Sequence, residues 1–365
     1  MRGALLVLVC VAVSAHAQPL DEEDLTFESA PGVTLAGTIS LPEGAGPFPA
    51  VVLASGSGGQ DRDGGPGGRV LPDSLRMYRD LAHALTRRGI LVLRFDDRGM
   101  GESTLGPDPQ NATSLSLADD LEAAVGVLAA RPDVRWTGIV GHSEGGILAP
   151  LVANRSGLVD GVVLVAGSAE RGYETILDQN RTALAPLGLD EATVDAMLVP
   201  LRQLFERLAA TPDTDLTDAE RAEIRDLLVQ SNATIPARQA AQIGLTPERI
   251  AAMADAALPT LTSRPYRTLL SLDPARWLAG LRVPALGLFF ELDQQVTPAR
   301  NAEPMRQALS ASASPAWEVT TLSGINHVMQ AAETGAVAEY ARLAGTIDPV
   351  VPAAIADWVL ETAGE

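Results

Sequence analysis

The hydrophobic positions of this chain alternate between two patterns, continuous apolar runs and apolar residues at helical spacing. Continuous apolar runs such as FPAVVLAS, ILVLRFD and VDGVVLVAG have the length and composition of strands that are buried on both faces. Between these runs, apolar residues recur at helical spacing, as at Leu117, Leu121 and Val125. Strands that alternate with helices in this way predict an α/β fold with a mostly parallel central sheet, covered by helices on both faces.

The pattern changes at the start of the chain. The stretch LTFESAPGVTLAGTISLPEG predicts a β-hairpin with Pro31-Gly32 as its turn. The polar run from Asp21 to Asp24, just before it, is predicted to be a short flexible arm.

The alternation stops again in the second half, where only helical patterns occur from about Glu170 to Leu281. This break predicts a helical cap that is inserted into the α/β core, and an independent helical domain is the alternative. The expected organisation is a first core segment over residues 18–169, the cap insertion over 170–281 and a second core segment over 282–365.

The first 17 residues carry the features of a signal peptide. Arg2 precedes an apolar run from Ala4 to Val13, and Ala15-His16-Ala17 is a small-x-small cleavage signal. The run is shorter than the roughly 20 residues that a membrane span needs. We therefore expect cleavage after Ala17, a secreted or periplasmic protein, and no membrane anchor after cleavage.

Composition excludes several kinds of chemistry. The chain has 365 residues, enough to bury a sizeable core, and its net charge of −19 argues against a nucleic-acid partner. It contains no lysine, which rules out a lysine Schiff base, a Ser-Lys dyad and a P-loop lysine. The single cysteine, Cys10, lies within the leader, so the mature chain has no disulfide, thiolate nucleophile or cysteine-bound zinc.

The stretch IVGHSEGGI has the G-x-S-x-G pattern around Ser143, between a predicted strand and a predicted helix. A serine on such a sharp turn needs glycines two residues before and two after it, here Gly141 and Gly145, so that the strand and the helix can approach each other. The pattern predicts that Ser143 is a nucleophile.

A serine hydroxyl needs a base, and three histidines remain after the leader. His142 adjoins Ser143, and neighbours on a tight turn point apart, while His83 lies off the apolar stripe of a predicted helix. His327 follows the last predicted strand on a loop. By elimination, His327 is the predicted base.

The base needs an acid that orients it. Asp293 directly follows the apolar run ALGLFFEL and should emerge at the same sheet edge as Ser143. Glu291 is the alternative, but Asp293 lies nearer the loop. The chain order Ser143, Asp293, His327 is that of nucleophile-elbow hydrolases.

The segments VVLASGSGG, LRFDDRGMGES, GHSEGG, FFELDQQV and GINHV together resemble the α/β-hydrolase family, in its branch of esterases and serine aminopeptidases. They run from about Val51 to Val328 and leave the helical insertion without a specific motif. The resemblance implies acyl transfer to water through a serine ester intermediate, without a metal or an organic cofactor.

The oxyanion hole departs from the pattern of many relatives, because Ser55-Gly56 stands where they have a His-Gly pair. By position, the backbone amides of Ser57 and Glu144 are the expected donors, with Gly58 as the alternative to Ser57. A carboxylate at Glu144 would repel an oxyanion.

We therefore hypothesise that Glu144 pairs with Arg98 or Arg62. Asp96, Asp97 and Arg98 are interpreted as ties between loops beneath the elbow.

These features predict an exported carboxylesterase acting on a small-molecule ester, with the cap shaping an apolar pocket. An aminopeptidase or amidase is the alternative, and acidic residues of the insertion, Asp190, Glu191 and Glu206, are candidates to recognise an amine. A non-catalytic binding protein of the same fold is the alternative from another class. The pattern does not indicate an oligomeric state.

Overall fold

The computed structural model describes residues 20–65 and 71–364, so the predicted signal peptide lies outside the described residues. The strands are β1 (Asp21–Ala30), β2 (Val33–Leu41), β3 (Phe48–Ala54), β4 (Leu91–Phe95), β5 (Val134–His142), β6 (Gly161–Val165), β7 (Ala285–Phe290) and β8 (Trp317–Leu322). The helices are α1 (Met77–Thr86), α2 (Ser114–Ala129), α3 (Glu144–Arg155), α4 (Gly172–Leu184), α5 (Glu191–Ala210), α6 (Asp218–Ala233), α7 (Ala237–Gln242), α8 (Pro247–Leu261), α9 (Arg264–Ser271), α10 (Pro274–Ala279), α11 (Pro298–Ser310) and α12 (Val350–Gly364).

The strands form one eight-stranded sheet in the order β1-β2-β4-β3-β5-β6-β7-β8. The pairs β1–β2 and β2–β4 are antiparallel, and all other neighbours are parallel. The predicted α/β fold with a mostly parallel sheet is thus confirmed. The carboxyl ends of the parallel strands meet at one edge of the sheet, which is where ligands bind in such folds.

The prediction of a flexible arm over Asp21 to Asp24 was wrong. These residues form the first part of β1 and pair with the end of β2. Their side chains accept hydrogen bonds, at Asp24 Oδ1 from Thr38 Oγ1 over 2.7 Å and at Glu22 Oε1 from Ser40 Oγ over 2.8 Å. Polar composition suggested an arm, but backbone pairing and these bonds order the segment.

Apolar side chains fill the space on both faces of the sheet, in two clusters that include Val52 and Leu164 on one face and Val92 and Phe290 on the other. The helices α4 to α10 lie between β6 and β7 in the chain and hold a third cluster, around Leu204. We call these seven helices the helical insertion. Among residues 20–65 and 71–364, no helix is long and apolar enough to cross a membrane.

Candidate active site

Ser143 lies on the sharp turn between β5 and α3. Its backbone has φ 53° and ψ −113°, a conformation that side chains rarely adopt. A Cβ on Gly141 would lie 2.2 Å from the carbonyl oxygen of Gly145, and a Cβ on Gly145 would lie 2.4 Å from that of Ala54. Only glycine fits at either position, so both glycines serve to hold Ser143 in its strained conformation at the end of β5.

His327 and Asp293 form a buried pair on the loops that follow β8 and β7. His327 Nδ1 donates to Asp293 Oδ2 over 2.7 Å, and the two side chains are 6% and 0% exposed. Asp293 Oδ1 accepts from the backbone amides of Gln295 at 2.7 Å and Val296 at 2.9 Å. Because a carboxylate fixes the proton on Nδ1, Nε2 of His327 is left as the proton acceptor.

The alternatives to this pair lie elsewhere. Glu291 Oε2 accepts from the backbone amide of Gly324 over 2.9 Å. His83 Nε2 lies 3.0 Å from Glu22 Oε1, on the far part of the sheet beside β1 and β2. The structure therefore brings Asp293 to His327 and leaves Glu291 and His83 in structural contacts.

A chain of buried hydrogen bonds links His327 to the loop after β3. This chain includes Tyr78, which the sequence analysis did not identify as a site residue. The amide of Gly56 donates to the Tyr78 hydroxyl over 2.8 Å, and that oxygen lies 3.1 Å from His142 Nδ1. His142 Nε2 in turn lies 2.9 Å from the carbonyl oxygen of His327. A carbonyl only accepts, so His142 carries its proton on Nε2 and accepts from Tyr78. No sequence motif marks Tyr78, whose only signal was its apolar position on α1.

Asp97 holds both ends of the loop from Ser55 to Gln60. Its Oδ1 accepts from Ser55 Oγ over 2.7 Å and its Oδ2 from the Gln60 amide over 2.8 Å. Burial raises the pKa of Asp97 to about 7. The Gly145 amide also donates to the Ser55 carbonyl over 2.9 Å, which ties the elbow to the loop. These bonds agree with the interpretation of Asp97 as a tie between loops.

Glu144 is the first residue of α3, where the backbone amide has no acceptor within the helix. Its side chain is buried, and burial raises its pKa, with a hydrogen bond from Ser114 acting in the opposite direction. The hypothesis that it pairs with an arginine was wrong. Arg62 binds Asp96 and Arg98 binds Asp120, because those carboxylates lie on the neighbouring loop and helix.

Three cavities share Ser57, and Ser143 lines two of them. One, of about 370 Å³, is lined by Ser143 and His327 together with Gln60. We call it the histidine-side cavity. A second, of about 460 Å³, is lined by Glu144 and Asp97 and by the insertion, and we call it the insertion-side cavity. A narrow space of about 40 Å³ is lined by Ser143, Ser57 and Glu144 and so shares residues with both.

The acidic residues proposed to recognise an amine do not line these cavities. Asp190 caps α5 by accepting from the Thr193 amide over 2.8 Å, and Glu206 lies 3.8 Å from Arg202 on an exposed helix face. Within the described part of the chain, no group of three or more His, Cys, Asp or Glu side chains could hold a metal ion.

Comparison with known proteins places the chain in a family. Residues 71–261, more than half of its length, match the family described as serine aminopeptidase, S33. The chain belongs to this family of α/β hydrolases. The match includes the elbow and most of the helical insertion, and it ends before Asp293 and His327.

One curated relative is esterase EstD from Thermotoga maritima, which is 35% identical over 222 residues. That alignment covers 60% of this chain and 50% of the relative, so the chain spans about half the length of the curated protein that it matches.

Solved structures share the fold at low identity. Proline iminopeptidase from Mycobacterium smegmatis superposes with a TM-score of 0.52 at 16% identity, over 93% of this chain and 99% of that one. Est1E from Butyrivibrio proteoclasticus, solved with ferulic acid bound, has a TM-score of 0.51 at 14% identity, over 93% of this chain and 100% of that one.

Proposed function

We propose that this α/β hydrolase is a serine esterase that cleaves carboxylic esters through an acyl-enzyme. The observation that carries the proposal is the buried pair of His327 and Asp293, whose histidine lines the same cavity as the strained Ser143. The 35% identity to an esterase supports ester substrates.

In the proposed reaction, Ser143 Oγ attacks the ester carbonyl carbon while His327 Nε2 takes the hydroxyl proton. The C–O bond to the alcohol then breaks, and His327 gives that proton to the departing oxygen. A water molecule then attacks the acyl carbon while His327 takes its proton. The bond between this carbon and Ser143 Oγ breaks, and His327 returns the proton to Ser143, which releases the acid. Asp293 stabilises the imidazolium that forms in both halves.

The oxyanion is proposed to bind the backbone amides of Glu144 and Ser57. Glu144 is the first residue of α3, where the helix dipole favours negative charge, and Ser57 lines the histidine-side cavity, the insertion-side cavity and the narrow space beside Ser143. A neutral Glu144 side chain would not repel the oxyanion, and its raised pKa favours that neutral form.

The helical insertion is proposed to act as a cap that shapes the acyl side of the site. Ile176 on α4 and Leu269 on α9 line the insertion-side cavity. The predicted export of the chain, with cleavage after Ala17, remains part of this proposal.

Cleavage of amides is the second candidate. Asp97 and Glu144 line the insertion-side cavity and are the acidic residues that would face a substrate amine there. Burial raises the pKa of both carboxyls, so at a given pH each is ionised to a smaller extent than an exposed carboxyl and attracts an ammonium group less. This electrostatic argument favours uncharged esters over aminoacyl amides.

The test is a panel of p-nitrophenyl esters and aminoacyl p-nitroanilides, assayed on the mature protein and on Ser143→Ala. We expect ester turnover that falls at least about 10³-fold in the variant, and fluorophosphonate labelling of Ser143 in the wild type. Ester turnover that survives the substitution, or the absence of both turnover and labelling, would refute the proposal. Faster cleavage of the anilides would establish the second candidate instead.

A further inference from the structure

Ser143 lines two of the three cavities at the site, and the proposed reaction assigns one part of the ester to each of them. His327 must reach the departing oxygen to protonate it, so the alcohol portion lies in the histidine-side cavity, which His327 lines. The narrow space of about 40 Å³ is lined by Ser143 and not by His327. The acyl portion, on the other side of the carbonyl carbon, is therefore left to the narrow space.

The narrow space lies beside the insertion-side cavity. Four residues line both of them, namely Ser57, Glu144, Ile176 and Leu269. Ser143 lines the narrow space but not the insertion-side cavity. The direct path for an acyl chain from Ser143 Oγ to the insertion-side cavity therefore leads through the narrow space.

The two spaces differ in size. A water molecule needs about 10–15 Å³ of such space, so the narrow space of about 40 Å³ has room for about three groups of the size of water or methylene. The insertion-side cavity, of about 460 Å³, is much larger, and its apolar walls include Leu117, Ile176 and Leu269. The first carbons of an acyl chain would thus meet a tight passage, and the later carbons would meet a wide apolar chamber.

The walls of the narrow space come from both the core and the helical insertion. Ile147 lies one turn after the nucleophile on α3, where its amide donates to the Ser143 carbonyl over 3.2 Å, and Val296 lies on the loop after β7. These two residues are 6% and 3% exposed, and close packing leaves them little freedom to move aside. A branch beside the acyl carbonyl would have to displace such packed side chains, which is unfavourable.

We propose that the narrow space is the passage for the acyl chain and that the insertion-side cavity holds the far end of that chain. The substrates are therefore esters of straight-chain acids of about six carbons or more, without a branch beside the carbonyl. This inference rests on the proposed esterase function, and it makes Ile147 a residue that determines specificity for the acyl group.

The test compares p-nitrophenyl esters of two isomeric acids, hexanoic acid, which is straight, and 2-ethylbutanoic acid, which is branched beside the carbonyl. Each kcat/KM is divided by the alkaline hydrolysis rate of the same ester, which removes the difference in intrinsic reactivity. We expect the wild type to favour hexanoate by at least about 10-fold in this ratio. In Ile147→Ala, which widens the passage, the ratio should fall by at least about 3-fold, and the milder Ile147→Val should lower it in the same direction.

Leu148→Ala is the matched control, because Leu148 is the next residue of α3, is 3% exposed, and packs in the apolar cluster that includes Val52. It lines none of the three cavities and should keep the wild-type ratio.

A wild-type ratio near one, a ratio that stays unchanged in both Ile147 variants, or an equal fall in Leu148→Ala would overturn the inference. If Ser143-dependent turnover of p-nitrophenyl acetate persists in that case, only the assignment of the acyl passage fails. If that turnover is also absent, the esterase proposal fails with it.

Discussion

The two sides of the candidate active site are built in different ways. On the sheet side, Ser143, Asp293 and His327 follow the parallel strands β5, β7 and β8, and directional hydrogen bonds hold the acid and the base. On the insertion side, α4 and α9 present mainly apolar walls, through Ile176 and Leu269.

This difference follows from what each side must do. Proton transfer requires atoms placed within a few tenths of an ångström, and only directional bonds give that placement. Apolar burial depends on area and not on direction, so the walls of the insertion can change without moving the reacting groups. The sheet side should therefore control the rate of chemistry, and the insertion side should control which acyl groups are accepted.

The largest effect should come from the acid on the sheet side. In Asp293→Asn, the amide no longer fixes the tautomer of His327, and kcat should fall by about 10³- to 10⁴-fold with little change in the fold. Glu291→Gln is the matched control and should stay near wild type, since Glu291 accepts from the Gly324 amide and not from His327. Steady-state kinetics on p-nitrophenyl butyrate measures both, and the reverse ranking would contradict the assignment of Asp293.

A smaller effect is expected from the hydrogen-bond chain behind His327. Tyr78→Phe removes the acceptor for the Gly56 amide and the partner of His142, so kcat should fall by about 10-fold while KM stays within about twofold. A fall in kcat without a change in KM is expected because a residue that positions the base stabilises the transition state more than it stabilises the bound substrate. Tyr173→Phe, in the insertion, serves as the control. Equal losses in both variants would show a general effect of removing a hydroxyl.

The insertion side should give a substrate-dependent effect instead. Leu269→Ala removes apolar wall from the insertion-side cavity, so kcat/KM for p-nitrophenyl octanoate should fall by about 3- to 10-fold while the acetate ester is unaffected. The exposed Leu187, changed to alanine, is the matched control. A parallel loss for acetate and octanoate would mean that the insertion also positions the reacting groups.

The last prediction concerns stability and pH. Burial raises the pKa of Asp97 to about 7 from an ordinary value of 3.8. The folded state therefore binds the Asp97 proton more tightly than the unfolded state does. This proton binding contributes to the free energy of unfolding in full below about pH 4, and the contribution is lost as pH rises through about 7.

Asp97→Asn removes this proton equilibrium but can still bond to Ser55 and Gln60. The free energy of unfolding of the wild type, minus that of the variant, should therefore decrease between pH 5 and pH 8, as measured by urea denaturation. Glu144→Gln provides a comparison at the neighbouring carboxyl. A constant difference for Asp97→Asn across this range would show that Asp97 titrates at the same pH in both states.

Much of this molecule follows from local patterns in the chain. The buried strands, the hairpin, the helices of the insertion and the glycines around Ser143 were predictable, because each depends on periodicity or on the crowding at one turn. The error over Asp21 to Asp24 has a physical reason, since a polar run becomes a strand only when a partner strand is present. The hypothesis that Glu144 pairs with an arginine was also wrong, because the partner of each guanidinium depends on which carboxylates the fold brings close to it.

The sequence by itself determined the fold class and the candidate residues Ser143, Asp293 and His327, because strand order and motif spacing place them at one edge of a sheet. The tertiary structure alone decided how those residues are supported and what surrounds them. The link from Gly56 through Tyr78 and His142 to His327 and the burial of the carboxyls of Asp97 and Glu144 depend on long-range contacts. Such contacts are set by how elements pack, and no local period in a chain encodes them.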